Sequence, residues 1–297
     1  MLDIIQHDLQ INGMKIEDKL YGSFKVEPVL AELIRSVPMQ RLKHVHQGGA
    51  IFLVDPTINH TRYAHSLGVL FLVKYLGGNL EEQIAALLHD VSHTAFSHVA
   101  DYIFNYTDED YHESIYEEVI MDSEIPAILH KHGLDVNILF EQDYAILEQP
   151  LPQLCADRVD YILRDLYQAG MIVLSDVSDF LVELTLQDGK MVVKSEAAGQ
   201  WIRDQFKCLN ESYFKKPEHV YANTMLAELL KQGLANGLIQ KDDMLKDDFQ
   251  VLNKLAKERA GYLKINEIKQ LTHFKYFSSK GAAERFKRRE LHPAIMS

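Results

Sequence analysis

The sequence predicts a mainly α-helical fold decorated by one small β-hairpin near residues 181–195. Two observations carry that expectation. Apolar residues recur at spacings of three and four through 60–76, 80–103, 151–168 and 217–236, the period of helices with a buried face. FLVELTLQDGKMVVKS breaks the pattern, because two β-rich runs flank Asp188-Gly189, a pair suited to a tight hairpin turn.

Helix ends are marked by residue type. Pro28, after Glu27, suits a first helical position, and Pro217 opens a long apolar-periodic run that ends near Gly233 or Gly237. A chain of 297 residues can bury a large core, and no fixed-period repeat, low-complexity tract or long linker divides it, so a single domain over 1–297 is expected. The tail FKRRELHPAIMS is locally basic and reads as a sheet edge, an arm or an interface segment.

Composition excludes several classes. Hydrophobic residues at 47% and charged residues at 25% are the balance of a folded globular protein. A net charge of -12 argues against strong nucleic-acid binding or adhesion to anionic membranes, so an anionic ligand would require local positive charge. Cys155 and Cys208 are too few for a disulfide framework or a zinc cluster. With no signal-like start and no apolar run of about 18 residues, a cytoplasmic protein is expected.

Six of the fourteen histidines (His60, His65, His89, His93, His98 and His112) fall between positions 60 and 112, more than twice the density of even spacing. In IAALLHDVSHTAFSH an apolar helix, Ile84 to Leu88, runs into His89-Asp90. Neighbours on a helix diverge by about 100°, so both can reach one ion only at a helix end. Imidazole and carboxylate suit a divalent ion, and two His with two Asp leave positions open for water and substrate. His65 in HTRYAHSLGV and Asp157 in LCADRVDYILRD each begin an amphipathic helix and complete the set. Along the second helix Asp157, Asp160 or Tyr161, and Arg164 or Asp165 share one face, expected to look into the site. His98 and Asp101, three apart, can pair so that the carboxylate fixes the imidazole tautomer.

This order of motifs resembles the HD-domain phosphohydrolases, and more closely the deoxynucleoside triphosphate triphosphohydrolases of the SAM-and-HD-domain type. The resemblance runs from IEDKLYGSFKVEP through MQRLKHVHQGG, HTRYAHSLGV, LLHDVSHTAFSH, YHES and ADRVDYILRD, and weakly into FKRRELHP. It implies an HD-domain helical fold with a catalytic core over about 40–170 and a helical C-terminal part over about 196–297. It implies His65, His89, Asp90 and Asp157 as ligands of one divalent transition metal ion (Fe, Mn, Zn, Ni or Co not being distinguishable), with Mg a candidate companion of the nucleotide. Arg62 would contact a phosphate, which a guanidinium grips in a forked manner. His93, His98, Asp101 and His112 match catalytic positions, with His112 the candidate proton donor to the leaving group. Gln47 and Tyr161 match contacts to the sugar, Asp165 a contact to its 3'-hydroxyl, and Arg164 a basic position near the phosphates.

The resemblance also implies a nucleotide substrate and a homodimer or higher homo-oligomer. Two departures qualify it. Pro217 and Val220 stand where the triphosphohydrolases usually show Tyr and Lys, although Lys215 or Lys216 could compensate, and from its length the chain is expected to lack the extended C-terminal region and separate allosteric module of larger members. The leading expectation is hydrolysis of a deoxynucleoside triphosphate to deoxynucleoside and triphosphate. The alternatives are a nucleotide phosphomonoesterase or phosphodiesterase, and a nucleotide-sensing protein with a vestigial site. A binuclear site, with His93 or His98 on a second ion, is the rival for the histidine cluster.

Overall fold

The computed structural model describes residues 14–106, 110–277 and 289–297. Residues 1–13, on which the reading of the N-terminus rests, lie outside the described residues, as does the 286–288 part of the basic tail. The described chain is mainly helical with two small antiparallel hairpins.

The strand-like opening is the first hairpin, Met14–Asp18 paired with Gly22–Val26. Asp18 Oδ1 closes its turn by accepting from the backbone of Leu20 and Tyr21. Pro28 then occupies the first turn of the helix Pro28–Arg35, as its missing N–H allows.

Three helices frame the interior. Arg62–Tyr75 is buried on nearly every side: Val69, Leu72 and Val73 face one apolar cluster, while Leu67 and Leu70 face another. Leu80–Leu88 packs beside it, starts at an Asn79 side-chain cap on Glu82 N, and stops at His89. Ala156–Gln168 closes the other side. The periodic stretch 80–103 holds two helices, the first ending at His89-Asp90 as expected. Between Leu88 and Val99 the chain turns through Phe96 and Ser97, both with left-handed backbone (φ 62 and 51).

The expected hairpin is Leu184–Gln187 with Lys190–Val193, joined by Asp188 and Gly189, both at positive φ as a tight hairpin turn requires. The tail is its edge: Val193 N donates to Ala294 O and Met296 N to Val193 O. Pro217–Ala235, begun by its proline as expected, packs with Asp248–Leu255 and Arg259–Lys269 against Ala95, Phe96 and Val99. The C-terminal helices thus rest directly on the turn that follows His93.

One buried carboxylate locks that contact. Asp248, fully enclosed, accepts from His46 N (2.9 Å), His46 Nδ1 (2.7 Å) and Phe96 N (2.7 Å). Ser97 Oγ in turn donates to His46 O at 2.7 Å. Removing the carboxylate strands buried donors, each worth about 1–3 kcal/mol. Asp248→Ala is expected to cost at least about 3 kcal/mol of unfolding free energy by urea denaturation; an unchanged midpoint would refute this role.

Candidate metal centre and active site

His65 sits one turn into the Arg62–Tyr75 helix, fully buried, and Asp157 is the second residue of Ala156–Gln168. His89 caps the Leu80–Leu88 helix, and its Nδ1 donates to Ala86 O at 2.8 Å, which turns Nε2 toward His65. Asp90 follows at the helix end, where adjacent residues escape the helical divergence.

These four side chains converge. His65 Nε2 lies 3.0 Å from Asp157 Oδ1, 3.3 Å from His89 Nε2 and 3.6 Å from Asp90 Oδ2. His89 Nε2 lies 3.5 Å from Asp90 Oδ1 and 3.6 Å from Asp157 Oδ1. Ligands at about 2.0–2.2 Å from one ion stand roughly 3.0–3.5 Å apart in tetrahedral or octahedral geometry, so the donor set fits a divalent ion. Two imidazole nitrogens facing one another with only carboxylates around them are otherwise poorly matched. A second trio, Asp90, His93 and His112, also brings ligand-type atoms within 4.8 Å of one another, the geometric basis for a binuclear rival.

His65 is aimed by a partner behind it. His65 Nδ1 meets Asp160 Oδ2 at 2.7 Å. Arg164 holds Asp160 through two contacts of 2.8 and 2.9 Å and reaches Asp18 Oδ2 of the first hairpin at 3.1 Å. Gly68 makes room for this pair, because a Cβ there would lie 1.9 Å from Asp160 Oδ1. Arg164 therefore corrects the expectation of a phosphate contact. Its guanidinium is buried behind the centre and committed to two carboxylates, as a buried charge must be. The polar stripe of this helix splits: Asp157, Tyr161 and Asp165 line a cavity, whereas Asp160 and Arg164 brace His65.

The cavity measures about 590 Å³. Gln47, Arg62, His89, Asp90, His93, His98, His112, Asp157, Tyr161 and Asp165 all line it. Arg62 donates from Nη1 to Asp90 Oδ2 (2.8 Å) and from Nε to Ser97 Oγ (3.0 Å). His93 Nε2 lies 3.2 Å from Asp90 Oδ1 and its ring stacks on His112 with centroids 3.8 Å apart. Asp101 is off the wall but holds His98, whose Nδ1 is 2.9 Å from Asp101 Oδ2, the pairing expected from their spacing.

Sequence reasoning missed several lining residues: Arg158, Arg289, Glu113, Glu148 and Asn223. Arg289 belongs to the basic tail already noted, and that cluster was its only signal. Glu148 sits in a loop with no motif around it. Burial pushes the carboxyls of Glu113 and Glu148 upward, with neighbouring carboxylates adding to it. Lys215 and Lys216 are not among the lining residues, and Val220 is.

Electrostatics divide the imidazoles. Burial works to lower the His65 pKa, but its hydrogen bonds to the Asp157 and Asp160 carboxylates outweigh it and raise it to about 10. Asp157 is held below the carboxylate range despite burial, by His65 and His89. Burial and the neighbouring His98 push His112 down to about 3. A ring uncharged at neutral pH is a poor proton donor to a leaving group, which speaks against the role the resemblance implies for it.

A model of the HD domain matches residues 62–165, the segment from Arg62 to Asp165. The metal-dependent phosphohydrolase cns2 of Cordyceps militaris is 34% identical over 237 residues, covering 76% of this chain and 69% of that protein. This chain belongs to the HD-domain family of metal-dependent phosphohydrolases. The HD phosphohydrolase is also 49% identical to the uncharacterized Bacillus subtilis protein YdhJ, over 82% of this chain and 75% of that one. A hypothetical protein from Aquifex aeolicus shares the fold with a TM-score of 0.69 at 27% identity, over 88% of this chain and 76% of that one. Human deoxynucleoside triphosphate triphosphohydrolase SAMHD1 is 32% identical over 51% of this chain, which spans 29% of that protein. No helix among the described residues is long and apolar enough to cross a membrane.

Two expectations follow. Because a metal ligand must shed its proton, uptake of a divalent ion should release a proton from His65, so apparent affinity should climb as pH rises toward about 10. Calorimetric titration in buffers of different ionisation enthalpy reads this directly, and buffer-independent heats would contradict it. Asp160→Asn should weaken metal affinity roughly 10–100-fold through misaimed His65; unchanged metal retention on dialysis would sink the bracing role.

Proposed function

We propose that this HD phosphohydrolase hydrolyses nucleotides, converting a deoxynucleoside triphosphate to deoxynucleoside and inorganic triphosphate. One observation carries the reading. Asp157, Tyr161 and Asp165 occupy successive turns of one helix and line one cavity, together with Arg62 and four imidazoles. Eight residues of helix rise about 12 Å, long enough for a metal-bound α-phosphate and the sugar attached to it to lie along this wall. The likeness to SAMHD1 over half of the chain supports the same reading.

His65, His89, Asp90 and Asp157 would hold the ion, which when bound supplies Lewis acidity toward a phosphoryl oxygen and toward water. The rest is derived from the chain's own groups. Arg62 has Nε and Nη1 engaged by Ser97 and Asp90, so Nη2 is the edge it offers a phosphate oxygen. Water attacks the α-phosphorus, the bond to the 5'-oxygen breaks, and that oxygen takes a proton. His98, whose Nδ1 is held by Asp101 and which is half exposed in the cavity, is the group to take a proton from the attacking water at Nε2 and return it to that oxygen. His93 and His112, stacked and uncharged, pack the phosphate without repelling the ion. Tyr161 offers its ring to the sugar, and Gln47 and Asp165 offer acceptors to its hydroxyls.

A second reading, release of orthophosphate from a nucleoside monophosphate, is favoured by the withdrawal of Arg164 and by Val220 on the wall, which remove two cations from a triphosphate path. Incubation of metal-loaded protein with nucleoside mono-, di- and triphosphates separates the two. Inorganic triphosphate from a deoxynucleoside triphosphate is expected; orthophosphate alone selects the second reading. His98→Ala should lower kcat about 10²–10⁴-fold with metal content unchanged, and full turnover in that variant would remove His98 from the mechanism.

A further inference from the structure

One ring of the histidine-rich stretch is used by neither the metal centre nor the proton path. His60 stands in the extended segment before the Arg62–Tyr75 helix and is almost completely buried. Its Nε2 meets Asp165 Oδ1 at 2.5 Å, with side-chain exposures of 5% and 3% for the pair. Its Nδ1 is buried with no hydrogen-bond partner. A ring that faces a carboxylate through Nε2 and nothing through Nδ1 carries its proton on Nε2 and donates it to Asp165, since a second buried N–H would be left unsatisfied.

The backbone of the same residue holds a second cavity-lining side chain in register. Gln47 N donates to His60 O at 3.1 Å, within the bridge that joins His46 to Thr61. Gln47 lines the cavity, and its Oε1 is buried without a partner. Arg62 follows His60 by two residues and is tied into the same strand pair through Arg62 N and Val45 O at 2.9 Å. One short segment therefore joins three residues that line the cavity, Gln47 and Arg62 through the backbone and Asp165 through the His60 ring.

We propose that His60 is a positioning residue for hydroxyl recognition. Its ring clamps one oxygen of Asp165, so the other is presented to the cavity at a fixed angle beside Gln47. This inference rests on the nucleotide reading above, in which Asp165 accepts from a sugar hydroxyl, and adds the residue that fixes that acceptor in place. A sugar lacking that hydroxyl leaves a buried carboxylate oxygen facing no donor, a penalty that discriminates strongly. A carboxylate free to rotate could turn away and avoid it, so the clamp sets the discrimination.

The test compares a 2'-deoxynucleotide with its 2',3'-dideoxy analogue as the ratio of kcat/KM values in wild type, His60→Leu and His60→Gln. Binding of the corresponding nucleosides is measured by calorimetry alongside. In wild type the deoxy substrate is preferred. His60→Leu should shrink that preference about tenfold or more, mainly through KM, while His60→Gln, whose Nε2 reaches a similar place, should restore it. An unchanged ratio in His60→Leu, an equal loss on both substrates, or no rescue by glutamine overturns the proposal. Wild-type protein that turns over and binds no nucleotide overturns the nucleotide reading and this inference with it.

Discussion

The hydrogen bond between His65 Nδ1 and Asp160 Oδ2, 2.7 Å long and fully buried, is the constraint on which the site depends. An imidazole has two nitrogens, and fixing one decides where the other points. Asp160 cannot do this alone, because a buried carboxylate needs compensating charge. Arg164 supplies it and is itself balanced by Asp18, so the N-terminal hairpin, the central helix and the Ala156–Gln168 helix are joined by one chain of charges. Gly68 is the steric condition for that chain, since a larger residue would occupy the space of the Asp160 carboxylate. A buried network of this kind is rigid only when every member is satisfied, which explains why a residue as far away in sequence as Asp18 belongs to the architecture of the centre.

The opposite wall is set by a different carboxylate. Asp248, from the C-terminal helices, binds the backbone of His46 and Phe96, and Ser97 passes the constraint to Arg62. The left-handed conformations of Phe96 and Ser97 are strained for residues with a Cβ, and this bonding holds them there. The reward is that the turn re-aims the chain between His93 and His98, so that both imidazoles reach the cavity. Core and C-terminal part are therefore hydrogen-bonded through Asp248, although the HD-domain match ends at residue 165.

Much of this was legible in the sequence. Helical periodicity placed the framing helices, Pro28 and Pro217 marked their starts, and Asp188-Gly189 marked the hairpin, because each is a local rule that tertiary packing did not override. The convergence of His65, His89, Asp90 and Asp157 followed from His89 at a helix end and from the order of motifs. What could not be read was the split along Ala156–Gln168. Spacings of three and four put Asp160 and Arg164 on the same stripe as Asp157 and Asp165, and only Asp18 and Gly68, remote in sequence, decide which pair turns inward. The fate of His112 was hidden for a similar reason, since burial against His93 and His98 is a property of the folded site. His60 was visible as a histidine, but its partner lies 105 positions away.

The central claim is that four donors form one metal centre while His93 and His112 serve the substrate. Elemental analysis of the metal-loaded protein tests it most directly. One ion per chain, lost in Asp157→Ala, is the result this account predicts; two ions per chain, with one retained in that variant, would contradict it and place the second on Asp90, His93 and His112.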